Sequence, residues 1–178
     1  MKDMELLKYP IGGVNYPDPI TQNNREKWIQ IISDFPSLVE NEVLALNKSE
    51  LQYKYRPNGW NIKQVVNHCI DSHLNSFVRF KLALTEDNPT IRPYEEGLWA
   101  ELPDTIDYDI KESLQMLKSL HKRWVFLIEN MADKDFKKTF IHPEGNESVS
   151  LEENLCIYAW HCQHHLKHIL NAKKFQYK

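Results

Sequence analysis

The run Trp160-His161-Cys162-Gln163-His164-His165-Leu166-Lys167-His168 places four histidines within one short stretch of a chain that holds eight in all. Residues four apart on a helix stand one above the other, so His161 and His165 can aim two imidazoles at one point. Neutral imidazole nitrogen binds divalent transition metals such as zinc, nickel or iron, and a working site takes three protein ligands with a position left open. One such pair therefore supplies too few ligands, and the rest of the sequence must supply a third. Spacing alone leaves His161/His165, His165/His168 and His164/His168 as pairs. On a helical wheel His165 borders the apolar stripe of its helix, His161 and His168 lie further round the same flank, and His164 points away.

Two histidines earlier in the chain can complete such a site. His73 falls within the apolar stripe of its helix, whereas His68 lies in a strip of neutral polar residues. Periodicity slightly favours His73 as the interior one, although a lone histidine among apolar residues is more often a hydrogen-bonded core residue than a ligand.

The frame that must hold these residues reads as one all-helical domain over residues 1–178. Its 178 residues, 42% of them hydrophobic, are enough for one sizeable core. The net charge of −3 supplies no basic footprint for nucleic acid or for anionic lipid, so small molecules are the expected partners. The polar start and the lack of any membrane-length apolar stretch point to a cytoplasmic protein. Cys69, Cys156 and Cys162 are odd in number and lack CxxC spacing, so they read as buried, reduced thiols.

Residues 1–20, with Pro10, Gly12, Gly13, Pro17 and Pro19, are expected to form an extended, packed arm. From Thr21 to Leu46 the residues Trp28, Ile31, Ile32, Phe35, Leu38, Val39, Val43 and Leu46 follow helical spacing, with a kink or break expected at Pro36. Asn61-Ile62-Lys63-Gln64 is a capping box that opens a second long helix to about Thr85. Its apolar sector runs from Ile62 through Leu74 to Leu84, extended by Val78 and Leu82. Asn61, Gln64, His68, Ser72, Asn75 and Arg79 form a strip that suggests a polar cavity alongside.

Glu86 to Tyr108 has prolines, no sustained period, and the aromatic residues Tyr94 and Trp99; it reads as a crossover that can also serve as a binding loop. Asp109 and Ser150 open two further capped helices, the first carrying Leu114, Leu117, Leu120, Trp124, Leu127 and Ile128 inward. The link between them contains Pro143-Glu144-Gly145-Asn146, suited to a short hairpin or a loop. Four long helices and one long crossover make an antiparallel four-helix bundle.

Several passages carry a family resemblance. Asn58-Gly59-Trp60-Asn61, Val65-Val66-Asn67-His68-Cys69-Ile70-Asp71-Ser72-His73, Pro89-Thr90-Ile91-Arg92-Pro93-Tyr94-Glu95-Glu96 and Tyr158-Ala159-Trp160-His161-Cys162-Gln163-His164-His165 resemble YfiT-like members of the DinB superfamily, as do Tyr9-Pro10-Ile11-Gly12 and His142-Pro143. The likeness spans nearly the whole chain. It implies a bundle, commonly a homodimer, that holds one divalent metal per chain through three histidines, here His68, His161 and His165. Asn67 departs from the family pattern, where another histidine often precedes the ligand, but it is not a ligand position. His73 then becomes a structural histidine or a support for a ligand. Zinc or nickel is the expected ion, with iron or manganese as further candidates.

A three-imidazole centre of this kind activates water or a thiol. The resemblance implies hydrolysis for YfiT-like proteins and, for other DinB proteins, transfer of a low-molecular-weight thiol such as bacillithiol, mycothiol or glutathione. Because Cys162, Gln163 and His164 fill the interval between His161 and His165, the HExxH protease arrangement and its glutamate base are absent. Hydrolysis then needs a base from elsewhere, such as Glu96, whereas an ionised thiol needs none, which gives thiol transfer a modest physical preference. Arg92 and Tyr94 are further candidates for work at the site. No Glu-x-x-His pair or GxSxG motif occurs. Cys69 and Cys162 sit on apolar faces, where a thiol behaves as a small hydrophobe. The reading from another class is a metal-binding stress or storage protein without turnover.

Overall fold

The computed structural model describes residues 4–178. Its elements are α1 (Met4–Lys8), α2 (Gln22–Val43), α3 (Ile62–Thr85), α4 (Glu96–Trp99), α5 (Pro103–Ile106), α6 (Ile110–Glu129), the hairpin β1 (Thr139–His142) and β2 (Glu147–Ser150), and α7 (Leu151–Phe175). Four long helices, α2, α3, α6 and α7, form the bundle.

The helix starts follow local chemistry. Thr21, Asn61 and Ser150 each accept from the backbone N–H three residues on, and the side chains of Asn24, Gln64 and Glu153 accept in return from the cap N–H. At Asp109 the carboxylate accepts from the Lys111 N–H instead, and Glu112 closes no reciprocal box. Pro36 lies inside α2, which continues unbroken to Val43, so of the expected kink or break no break occurs, and the proline ring is buried with Phe35 and Val39. Packing of this face therefore outweighs the lost hydrogen bond.

Each long helix packs on two others: α2 on α6 and α7, and α3 on α6 and α7. Consecutive helices α2 and α3 thus sit diagonally. Side-chain pairs give the directions. Asn154 with Ser76 and Tyr158 with Ser72 make α3 and α7 antiparallel, while Arg25 with Glu152 and Glu42 with Lys173 make α2 and α7 parallel. His73 with His121 and Phe80 with Trp124 make α3 and α6 parallel. A parallel pair requires the chain to return along the bundle between them, which the crossover from Glu86 to Asp109 does.

The crossover is not structureless. Ile91 N–H donates to the Ile141 carbonyl and Ile141 N–H to the Pro89 carbonyl, docking its start on β1, and it then forms the single-turn helices α4 and α5. Gln64 of the polar strip and its neighbours Lys63 and Asn67 on α3 receive it: Gln64 Nε2 donates to the Ala100 carbonyl, Asn67 Nδ2 to the Thr105 carbonyl and Lys63 Nζ to the Ile106 carbonyl. Gln64 of the strip thus satisfies buried backbone, whereas His68 and Asn75 line cavities.

The hairpin reading of the last link holds, with Gly145 at φ +90° supplying the turn. In the arm, Met4–Lys8 form the helical turn α1, since no proline or glycine forbids it there. The arm lies along α7, where Trp160 Nε1 donates to the Gly12 carbonyl at 3.1 Å. The core joins Ile32, Phe35, Phe80, Leu117, Trp124, Leu155 and Ile169, whereas Leu38, Leu74 and Val78, placed on apolar faces by periodicity, remain exposed. No helix among the described residues is long and apolar enough to cross a membrane.

Candidate metal centre

The register between α3 and α7 decides which histidines meet. Asn154 Nδ2 donates to Ser76 Oγ at 2.9 Å, and the Tyr158 hydroxyl donates to the Ser72 carbonyl at 3.1 Å. One further helical turn along this antiparallel ladder brings His68 level with His161 and His165. A nitrogen from each of these rings lies within 4.8 Å of the other two. His68 and His165 are buried and His161 is half-buried.

Burial decides their charge. It pulls His68 down to about 4, with His164 adding to the effect, and pulls His161 and His165 well below the ordinary imidazole range, with neighbouring histidines adding to it. All three rings are therefore neutral at pH 7, the form that donates a lone pair to a metal.

The lone pairs can be assigned from hydrogen bonds that end on carbonyl oxygens, which only accept. His121 Nδ1–H donates to the Ile32 carbonyl at 2.7 Å, so His121 Nε2 accepts from His73 Nδ1–H, also at 2.7 Å. His73 Nε2 must then accept from His161 Nδ1–H at 3.0 Å, leaving His161 Nε2 with a lone pair. That atom stands 3.2 Å from His68 Nε2. Two nitrogens on one tetrahedral zinc, each about 2.05 Å from the ion, would be about 3.3 Å apart. A shorter chain serves His165: His168 Nε2–H donates to the Lys8 carbonyl at 3.0 Å, and the His168 Nδ1 thereby faces His165 Nδ1 at 3.3 Å as an acceptor. His165 Nε2 is then the ring nitrogen left free. Donor type, neutrality and spacing all fit a divalent cation.

A rival group, Cys69, His73 and His161, also has ligand atoms within 4.8 Å. It fits less well, because both nitrogens of His73 are engaged by other rings and burial drives the Cys69 thiol far up, keeping it protonated. Burial raises Cys162 likewise, so neither thiol is an activated nucleophile.

The first triad opens on a cavity of about 550 Å³ lined also by Lys8, Tyr55, Arg56, Trp60, Glu96 and Trp160. Glu96 sits at its exposed edge, where partial burial and the Glu144 carboxylate raise its carboxyl above the usual range. Arg92 and Tyr94 do not line this cavity; they line a neighbouring one of about 820 Å³ with Asn75 and Trp99. His164, expected to point outward, is buried, because Trp160 stacks on it at 4.4 Å and Tyr9 of the arm lies beyond it. His142 lies in β1, apart from all three clusters of ligand atoms found among the described residues.

His121 is the residue that sequence reasoning missed. It sits between Leu117 and Trp124 on the buried face of α6, and a polar side chain inside an apolar stripe was the signal available.

Residues 32–169 match the DinB superfamily. A protein of Bacillus cereus (strain 03BB102) named "Putative metal-dependent hydrolase" is 48% identical over 171 residues, which are 96% of this chain and 98% of the relative. A protein of Bacillus thuringiensis subsp. konkukian with the same description has the same identity and coverage. Among solved structures, YfiT from Bacillus subtilis, described as a probable metal-dependent hydrolase with an unusual four-helix bundle topology, superposes with a TM-score of 0.92 at 41% identity over 96% of this chain and 97% of its own. The mycothiol-dependent maleylpyruvate isomerase shares the fold, with a TM-score of 0.56 at 14% identity over 82% of this chain and 60% of its own.

Proposed function

The chain belongs to the DinB superfamily, and from that premise we propose that it is an enzyme whose His68, His161 and His165 hold one divalent cation and whose reaction is hydrolysis of a small substrate. The observation that carries the reading is the convergence of three neutral imidazoles from α3 and α7 beside the Glu96 carboxylate. When bound, a divalent cation supplies Lewis acidity, bringing the pKa of a water in its open position to about 7 or ionising a thiol there. Zinc and nickel suit three imidazoles, as does iron; manganese prefers oxygen ligands.

The chain's own residues supply orientation and proton transfer. The His73–His121 and His168 hydrogen bonds hold the ligand rings with their lone pairs inward. Glu96, a stronger base than an ordinary carboxylate because of its raised pKa, accepts the proton of the nucleophile, the role left vacant by the missing HExxH glutamate. Tyr55, Trp60 and Trp160 wall the cavity, and Arg92 and Tyr94 serve the more distant part of the substrate from the adjoining pocket. Exposed Val78 and half-buried Leu82 on α3 provide apolar surface for a second copy in a homodimer.

A second reading, thiol transfer, is favoured by Lys8 and Arg56, whose positive charges border the histidine cavity and suit an anionic thiol such as bacillithiol. The two separate on Glu96. Zinc- or nickel-loaded protein is assayed against model esters and amides, and separately with bacillithiol or glutathione plus monochlorobimane. Hydrolysis should fall by about 100-fold in Glu96→Gln with metal retained, as expected on losing a general base. Activity only with thiol, indifferent to Glu96→Gln, selects transfer. Inactivity in both assays by protein that still binds metal selects storage without turnover.

A further inference from the structure

We infer that α7 carries a second divalent-cation site, built from His164, His165 and His168, in which the His165 ring bridges to the first. Ring nitrogens of these three buried histidines lie within 4.8 Å of one another, the limit that His68, His161 and His165 also meet. The two triads agree in ring placement as well. Their centroid separations are 4.3, 5.0 and 5.2 Å in the second and 4.3, 4.8 and 5.2 Å in the first. His165 belongs to both, and the two nitrogens of one imidazole can serve two ions.

The unpartnered His164 ring points to a ligand, and the His165–His168 pair is spaced to share it. Because His168 Nε2–H is committed to the Lys8 carbonyl, His168 Nδ1 keeps a lone pair, and its 3.3 Å separation from His165 Nδ1 is close to that of two nitrogens on one tetrahedral ion. His164 takes no part in the hydrogen bonds that orient the first triad. It is only 6% exposed, and its Nδ1 is buried with no hydrogen-bond partner among the described residues. Such an atom calls for a partner, and a divalent cation held by the three rings would be one. Stacking holds the rings, with Tyr55 on His168 at 3.8 Å and Trp160 on His164 at 4.4 Å.

The exchange balances without redox chemistry. The second cation displaces the proton shared by His165 Nδ1 and His168 Nδ1, that proton leaves to solvent, and His165 becomes an imidazolate joining the two ions. The His168 lone pair turns from the proton to the ion, and His164 supplies the third nitrogen. The site takes small nitrogen-seeking divalent ions, namely zinc, copper(II) or nickel. The bridge rests on the first centre as read above, whereas the second cluster stands on its own residues.

Metal-free protein comprising residues 1–178 is titrated with zinc, following bound metal by elemental analysis after gel filtration and released protons in weak buffer. The wild type should bind two equivalents; His164→Ala and the bulkier, polar His164→Gln should each bind one with the affinity of the wild type's first step. His68→Ala should also retain one equivalent. Copper(II) added to protein holding one zinc should give a nitrogen-split electron paramagnetic resonance signal that both His164 variants lose. A wild type that saturates at one equivalent, with folded His164 variants indistinguishable from it, overturns the inference and leaves the first centre standing. One equivalent that survives His68→Ala and disappears in His164→Ala upholds this cluster while sinking the first.

Discussion

His73 Nε2 lies 3.0 Å from His161 Nδ1, so a fully buried ring on α3 decides which nitrogen of a cavity-facing ring carries the proton. His73 is fixed in turn by His121, and His121 by the Ile32 carbonyl of α2. Three bundle helices thus determine the orientation of one histidine on the fourth.

Removing that support should weaken metal binding without removing a ligand. His73→Leu is expected to lower zinc affinity about 10- to 100-fold, measured by competition with a chromophoric chelator, with helicity unchanged by circular dichroism. His73→Gln, which can still accept from His161, should recover part of the loss. Wild-type affinity in His73→Leu would show that the hydrogen bond does not act on the metal.

The same buried rings make stability depend on pH. Burial pulls His121 to about 4 and His73 well below its ordinary value, while both titrate near 6.5 in the unfolded chain. Between pH 6.5 and 4 the unfolded chain binds protons that the folded one refuses, so stability falls with pH by about 1.4 kcal/mol per unit for each such ring. The His121 contribution is complete above about 6.5 and exhausted below about 4. Urea midpoints of metal-free protein from pH 7.5 to 4.5 read this slope, and His121→Leu should reduce it by about one proton. A midpoint independent of pH over that range would contradict the assignment of neutral rings.

Gln64 should couple the crossover to the site. Its Nε2 donates to the Ala100 carbonyl and to Glu101 Oε1, each at 3.0 Å, and its Oε1 accepts from the Asn61 N–H of the helix cap. Gln64→Leu leaves the buried carbonyl unpaired and is expected to cost about 1–3 kcal/mol. Hydrogen exchange should accelerate across residues 96–102, which include Glu96, more than in α3 itself. Unchanged protection there would show that α5 alone holds the segment.

Trp124 joins core to site. Its side chain is fully buried, with ring centroids 5.9 Å from His73 and 5.8 Å from His121. Trp124→Ala should cost about 3–5 kcal/mol in chemical denaturation. It should also weaken zinc binding, because the rings it holds gain room to turn. Stability loss with unaltered affinity would separate the packing role from the positioning one.

What was legible in the sequence was local. The caps at Thr21, Asn61 and Ser150 marked helix starts because each needs only a side chain three residues from its partner, and the His161/His165 pair was readable because one helix turn sets it. Spacing could not choose between His68 and His73; the family resemblance named His68, and the ladder Ser76–Asn154 and Ser72–Tyr158 supplies the physical reason it reaches the pair. The burial of His164 likewise depends on an arm that Trp160 ties down at Gly12, and the role of His121 on a carbonyl 89 residues away. A helix pattern reports which face of each segment avoids water, but the depth and angle at which two faces meet come from side chains far apart in the chain, so only the packed bundle decides which nitrogens converge and which proton each of them keeps.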